Sequence, residues 1–135
     1  MPVAAPEVSF QLTPGVMTDL EALRDEVHDD MQMEKPVPAI AWSTRRLRSY
    51  WGTYDSKTAT VTINVRLQSS SVSRECLKFL VYHELLHHEL GAQIGHRGDF
   101  RERERRYPHW AALSSELDGI SDYFRTDVAP HVVAP

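Results

Sequence analysis

The amino-acid sequence predicts an α+β domain in which a small, mainly antiparallel sheet packs on helices. Three observations carry that prediction. Residues 58–65, Thr-Ala-Thr-Val-Thr-Ile-Asn-Val, alternate apolar and polar side chains with the period of a half-buried strand, and are rich in β-branched residues. Residues 72–90 are apolar around most of a helical wheel, as in a largely buried helix. One helical pattern precedes the strand-like region and three follow it, so the element order is α, β strands, α-α-α.

The elements can be justified in order. Residues 1–15 hold three prolines and a glycine and read as an extended N-terminal arm. Residues 16–33 place Leu20, Leu23, Val27 and Met31 three or four apart, the spacing of one helical face, with Asp25, Glu26, Asp29 and Asp30 towards solvent. Pro36 and Pro38 stop that helix. Residues 39–50 hold one or two strands, and Tyr54-Asp55-Ser56-Lys57 reads as a turn. In 58–65, Ala59, Val61, Ile63 and Val65 share one side, while Thr60, Thr62 and Asn64 share the other. Ser69, Ser70, Ser71 and Ser73 supply a loop and a choice of N-caps for the helix over 72–90. Its polar strip is confined to Arg74, Glu75, Lys78, Tyr82 and Glu89, and Gly91 is placed to end it. Residues 97–107 form a further helix, Pro108 breaks the chain, and a last helix over 109–124 aligns Trp110, Leu113, Leu117, Ile120 and Phe124. Residues 126–135 form a flexible tail.

A chain of 135 residues suits one domain, spanning 1–135. The net charge of −4 argues against a general affinity for nucleic acid or anionic membrane. Two local basic clusters exist, one at Arg45, Arg46 and Arg48 and one at Arg97, Arg101, Arg103, Arg105 and Arg106. The second is interleaved with Asp99, Glu102 and Glu104 and reads as a solvated helix face with local ion pairs, so a nucleic-acid contact has weak support. Cys76 is the single cysteine, so no disulfide framework exists. No apolar run approaches the roughly 20 residues of a membrane helix, and the N-terminus lacks a basic start and apolar run. Together these predict a cytoplasmic protein with no membrane contact. Oligomeric state is not legible.

The chemistry centres on His83-Glu84-Leu85-Leu86-His87 within the buried helix. Histidines at i and i+4 lie about 40° apart around a helix, so both imidazoles can reach one tetrahedral zinc ion. Glu84, about 100° from His83 around the axis, falls beside the metal, where its carboxylate can take a proton from a metal-activated water. Two histidines and a carboxylate are costly to bury without compensation, and a metal supplies it. A third ligand is needed. His96 follows after Gly91 and Gly95, which let the chain turn back, and Phe100 can anchor the next helix. The fallback is a carboxylate of the last helix, Glu116. The metzincin pattern does not fit, because Leu90 and Gln93 stand where it requires Gly and His.

His88 reads as a packed residue rather than a ligand. Cys76 reads as a buried small apolar residue, and Trp42, Trp51 and Trp110 as core or cleft wall. His28, His109 and His131 receive no role. Tyr50, Tyr54, Tyr107 and Arg97 are candidates for stabilising an oxyanion.

The stretch Trp51-Gly52-Thr53-Tyr54-Asp55, then Val61-Thr62-Ile63-Asn64, then Leu67, then Phe79 to His88, then His96 and Phe100, resembles the core of SprT-like zinc metallopeptidases and of the related WLM-type enzymes. The resemblance covers roughly residues 45–110. It implies a zincin-like core with the HExxH motif on a central buried helix, and one zinc per chain held by His83, His87 and His96. It also implies that Glu84 acts as general base in hydrolysing peptide bonds. The strand before the active-site helix, here 58–65, would offer its edge to a polypeptide substrate. SprT-like proteins often carry a zinc ribbon, which this single-cysteine chain lacks, so a DNA-linked role loses support. Two alternatives stay open: a non-catalytic zinc-containing binding or regulatory module, and a zinc hydrolase of a non-peptide substrate.

Overall fold

A computed structural model describes residues 18–47, 50–68, 72–91 and 98–125, the last five by their backbone alone. The expected arm at 1–15, the tail at 126–135, His96, Arg97 and His131 lie outside the described residues.

Helix α1, Leu20–Asp30, starts where the Asp19 side chain accepts from the Ala22 N–H, and it buries Leu20, Leu23 and Val27. It is shorter than the periodicity suggested, ending as Gln32 takes φ 51° and Met33 N bonds back to His28 O. Strands β1 (Ala39–Trp42), β2 (Gly52–Asp55) and β3 (Thr60–Ile63) follow, then a single 3₁₀ turn at Val65–Leu67. Helices α2 (Arg74–Leu90), α3 (Asp99–Glu104) and α4 (Trp110–Arg125) come next among the described residues. The architecture is the predicted α+β, with three strands and four α-helices among the described residues.

The sheet is mixed, in the order β1-β3-β2. β1 runs parallel to β3, with Ala39 opposite Thr60 and Trp42 opposite Ile63. β2 runs antiparallel to β3, with Gly52 opposite Ile63 and Asp55 opposite Thr60. Two expectations are corrected here. The segment 58–65 is not an edge: β3 is the central strand, its backbone groups paired on both sides, so it has no free edge for a peptide. The turn also lies later than expected. Asp55 ends β2 and its carboxylate accepts from Lys57 N at 2.9 Å, an Asx-type turn that carries the chain through 56–59. Thr58 and Ala59 therefore belong to the turn, Ala59 at φ 51°.

Helix α2 is the centre of the molecule. Every residue from Cys76 to Leu86 is buried, against α1, the sheet, α3 and α4. Ser73 caps it by accepting from Cys76 N, and Gly91 ends it at φ 104°. Lys78, expected on a polar strip, is buried because α1 presents carboxylates to it: its Nζ lies 3.3 Å from Glu26 and 3.8 Å from Asp30. Glu26 and Asp30, expected towards solvent, thus help seat α1 on α2.

Asn64, 1% exposed, joins the sheet to the preceding loop. Its Oδ1 accepts from Leu47 N and Arg66 N, and its Nδ2 donates to Leu47 O and Tyr50 O. The segment that leads into β2 is thereby fixed from the end of β3.

Candidate active site

The C-terminal half of α2 carries His83, Glu84 and His87 side by side, as the spacing predicted. His83 is 7% and Glu84 2% exposed, and His87 is half-buried. The two imidazole centroids lie 5.4 Å apart, with ring planes at 75°. Phe100 of α3, fully buried, packs its ring 5.0 Å from that of His83 and 4.6 Å from that of His87. One helical turn later, Glu104 places Oε2 2.6 Å from His83 Nδ1, while its Oε1 accepts from Arg101 Nη1 at 2.5 Å. Burial pushes the Glu104 carboxyl up, but the His83 hydrogen bond and charge, with those of Arg101, outweigh it and hold it below the usual range. α3 is tied to α2 again where Tyr82 Oη donates to Arg103 O at 2.6 Å.

Glu84 sits in a different environment. Burial pushes its carboxyl up to about 7, with the His83 charge opposing that rise. Its neighbour across the sheet is Gly52, the first residue of β2: a methyl group there would come 3.2 Å from Glu84 Oε2 and 3.3 Å from its Cγ. β2 therefore begins directly over the carboxylate.

His88 is tied up structurally. Its Nε2 lies 2.9 Å from Pro36 O, an acceptor, so Nε2 carries the proton and Nδ1 accepts from Tyr54 Oη at 2.7 Å. It joins β2, α2 and the loop after α1, as a packed residue should. Glu89 strengthens the same junction by accepting from Glu34 N and Lys35 N. Tyr54 is thus committed to His88. Tyr107 lies elsewhere, against Phe79 and Tyr82 and beside Lys78 in a cavity of about 500 Å³. Tyr50 is exposed.

Cys76 is fully buried with Sγ 3.8 Å from Leu113 O, and burial pushes its thiol up to about 12, so it is neither ligand nor nucleophile. Glu116, the fallback ligand, is at the other end of α2, where it accepts from Ser73 N and Ser73 Oγ at 3.0 and 2.9 Å. The basic cluster of α3 is locally paired, as expected: Arg101 with Glu104, Arg106 with Glu102, and Arg105 over the Trp110 ring.

Sequence reasoning missed Glu104, Gly52 and Asn64. Glu104 was hidden in a run that reads as a solvated face, although its signal was present: it is four residues from Phe100, already assigned to the core. Among the described residues no cluster of three potential metal ligands forms. The described pair, two imidazoles on one face of a buried helix with a carboxylate beside them, suits a nitrogen-ligated zinc ion. His96 lies outside the described residues.

In fold the chain is similar to solved metallopeptidase zymogens. The metallopeptidase zymogen of Methanocaldococcus jannaschii jannalysin superposes with a TM-score of 0.62 at 18% identity, covering 79% of this chain and 98% of that one. That of Pyrococcus abyssi abylysin superposes with a TM-score of 0.57 at 22% identity, covering 85% of this chain and all of that one. Residues 17–119 match the YgjP-like, metallopeptidase domain family, and the chain belongs to that family. Among curated proteins none matches. The protein is a metallopeptidase, and its family implies a catalytic metal.

Proposed function

We propose that this metallopeptidase is zinc-dependent, with one zinc per chain held by His83, His87 and His96, and that Glu84 is its general base. The observation that carries the reading is the Glu84 carboxylate, 2% exposed, seated on the helix that sets the His83 and His87 rings 5.4 Å apart. The SprT-like and WLM-type resemblance supports the same roles, and His96 enters on its spacing after Gly91 and Gly95.

Bound at these histidines, zinc supplies Lewis acidity that makes water a better nucleophile and polarises a carbonyl. The protein supplies the rest. Glu84 takes a proton from the attacking water on Oε1 or Oε2 and returns it to the leaving amine. Phe100 keeps bulk water off the histidine rings. No covalent intermediate with the protein is needed.

The substrate is a polypeptide held along β2 rather than β3. Among the described residues β2 is an edge strand, and its first residue stands over Glu84. An extended peptide adding to that edge by main-chain hydrogen bonds would pass the carboxylate. Among the described residues no helix is long and apolar enough to cross a membrane, and a cytoplasmic location is proposed on the single buried Cys76.

The decisive experiment compares wild type with Glu84→Gln, both loaded with zinc, on a peptide library. The variant should keep its zinc and fold, and lose about 10²–10⁴-fold in turnover, the usual worth of a positioned base. Equal rates would remove Glu84 from the chemistry. N-methylation of alternate backbone amides in a cleaved peptide should raise KM; a KM indifferent to it at every position would exclude pairing with β2.

A further inference from the structure

We infer that Glu104, backed by Arg101, is a positioning residue that fixes the His83 ring and sets its affinity for the metal; the inference rests on the metal-centre reading above. Glu104 Oε2 lies 2.6 Å from His83 Nδ1. An ionised carboxylate only accepts, so the ring proton belongs on Nδ1, and the lone pair belongs on Nε2. A histidine whose tautomer is set in advance needs neither a proton shift nor a ring flip to bind a metal through Nε2.

The surroundings show that this contact is built. Glu104 is 6% exposed, and a carboxylate so deeply placed is costly to bury unless both oxygens find partners. Both do: His83 holds Oε2 and Arg101 holds Oε1. The helix that carries it is only Asp99–Glu104, begins at Gly98 without a side-chain cap, and is too short to be stable alone. Its place is set by tertiary anchors: Phe100 against both imidazoles, and the Tyr82 hydroxyl on Arg103 O. Phe100 and Glu104, one turn apart, face α2 together. Phe100 supplies the packing and Glu104 the hydrogen bond.

A simple structural ion pair would predict a change in folding stability and nothing more. The positioning role predicts changes in the histidine itself. In metal-free protein with ¹⁵N-labelled histidine, NMR should find His83 protonated on Nδ1. In Glu104→Gln, which keeps the shape but can offer either an oxygen or an NH₂ to Nδ1, that signal should lose its uniform Nδ1–H character. Zinc affinity, measured by competition with a chromophoric chelator, should fall about 10–100-fold in Glu104→Gln, the usual effect of removing such a partner. Arg101→Gln should shift it in the same direction by less, and Glu102→Gln, on the exposed side of α3, should leave it unchanged. Unaltered zinc affinity in both Glu104→Gln and Arg101→Gln overturns the proposal. So does a wild-type His83 protonated on Nε2, a measurement that stands even if a variant fails to fold. A wild type that binds no zinc at all fails the metal-centre reading instead, and the His83 tautomer then decides by itself whether Glu104 fixes the ring.

Discussion

At position 52 the difference between hydrogen and methyl bears directly on the site. An added Cβ would meet Glu84 Oε2 at 3.2 Å and Ile63 Cδ1 at 3.3 Å, closer than ordinary contact on both sides. The backbone there is strand-like and tolerates alanine, so Gly52→Ala should fold. The carboxylate must give way, and for Glu84 in its proposed role as base such a displacement should cost about 10–10²-fold in rate. Steady-state cleavage with a parallel thermal melt checks this: lost activity at an unchanged melt is expected, and full activity would show that Glu84 moves aside without consequence. Gly52 was visible in the sequence only as one letter of a resemblance, since nothing in strand periodicity says what faces a glycine. Asn64 was similarly opaque. Alternation placed it with Thr60 and Thr62 on a polar face, yet it is buried and bonded to Leu47, Tyr50 and Arg66. The pattern reads faces within a strand and is blind to the residue that ends one.

At the scale of elements, α2 was the most legible part of the chain. A long segment apolar on most sides admits only a buried helix, and its caps, Ser73 and Gly91, are the residue types that helix ends select. Strand order was not legible, because alternation gives each strand an inside and an outside but no neighbour. Alternation alone is therefore compatible with an edge at β3, which is the central strand. The fate of Glu116 depends equally on packing that local sequence does not record. The two ends of α2 now make separable predictions. His83→Ala or His87→Ala should abolish stoichiometric zinc binding by elemental analysis. Glu116→Ala, which removes a carboxylate from the helix N-terminus, should cost about 0.3–1 kcal/mol of stability and leave the zinc in place. Loss of metal from Glu116→Ala would return that residue to the ligand set.

Over the whole molecule, the central core helix is also the helix on which the proposed chemistry rests. The helix that buries Leu80, Val81, Leu85 and Leu86 is the helix that presents His83, Glu84 and His87. The family match over 17–119 spans that entire arrangement, from before α1 into α4. The central position of β3 also has a kinetic side. Its partner β2 is close in sequence, Asp55 pairing with Thr60, whereas β1 must close a longer loop to set Ala39 against Thr60. Separations of 5 and 21 residues, taken from those pairings, differ by about two doublings, or about 1.2 kcal/mol of extra closure entropy. The β2–β3 hairpin should therefore order before β1 docks, and for that interval one side of β3 is an open edge, able to pair with another chain. Pulsed hydrogen exchange during refolding should protect the hairpin amides before those that join β1 to β3; simultaneous protection would contradict that order. Crowded refolding would then be most hazardous in the interval before β1 arrives, at the strand that the finished molecule shields most completely.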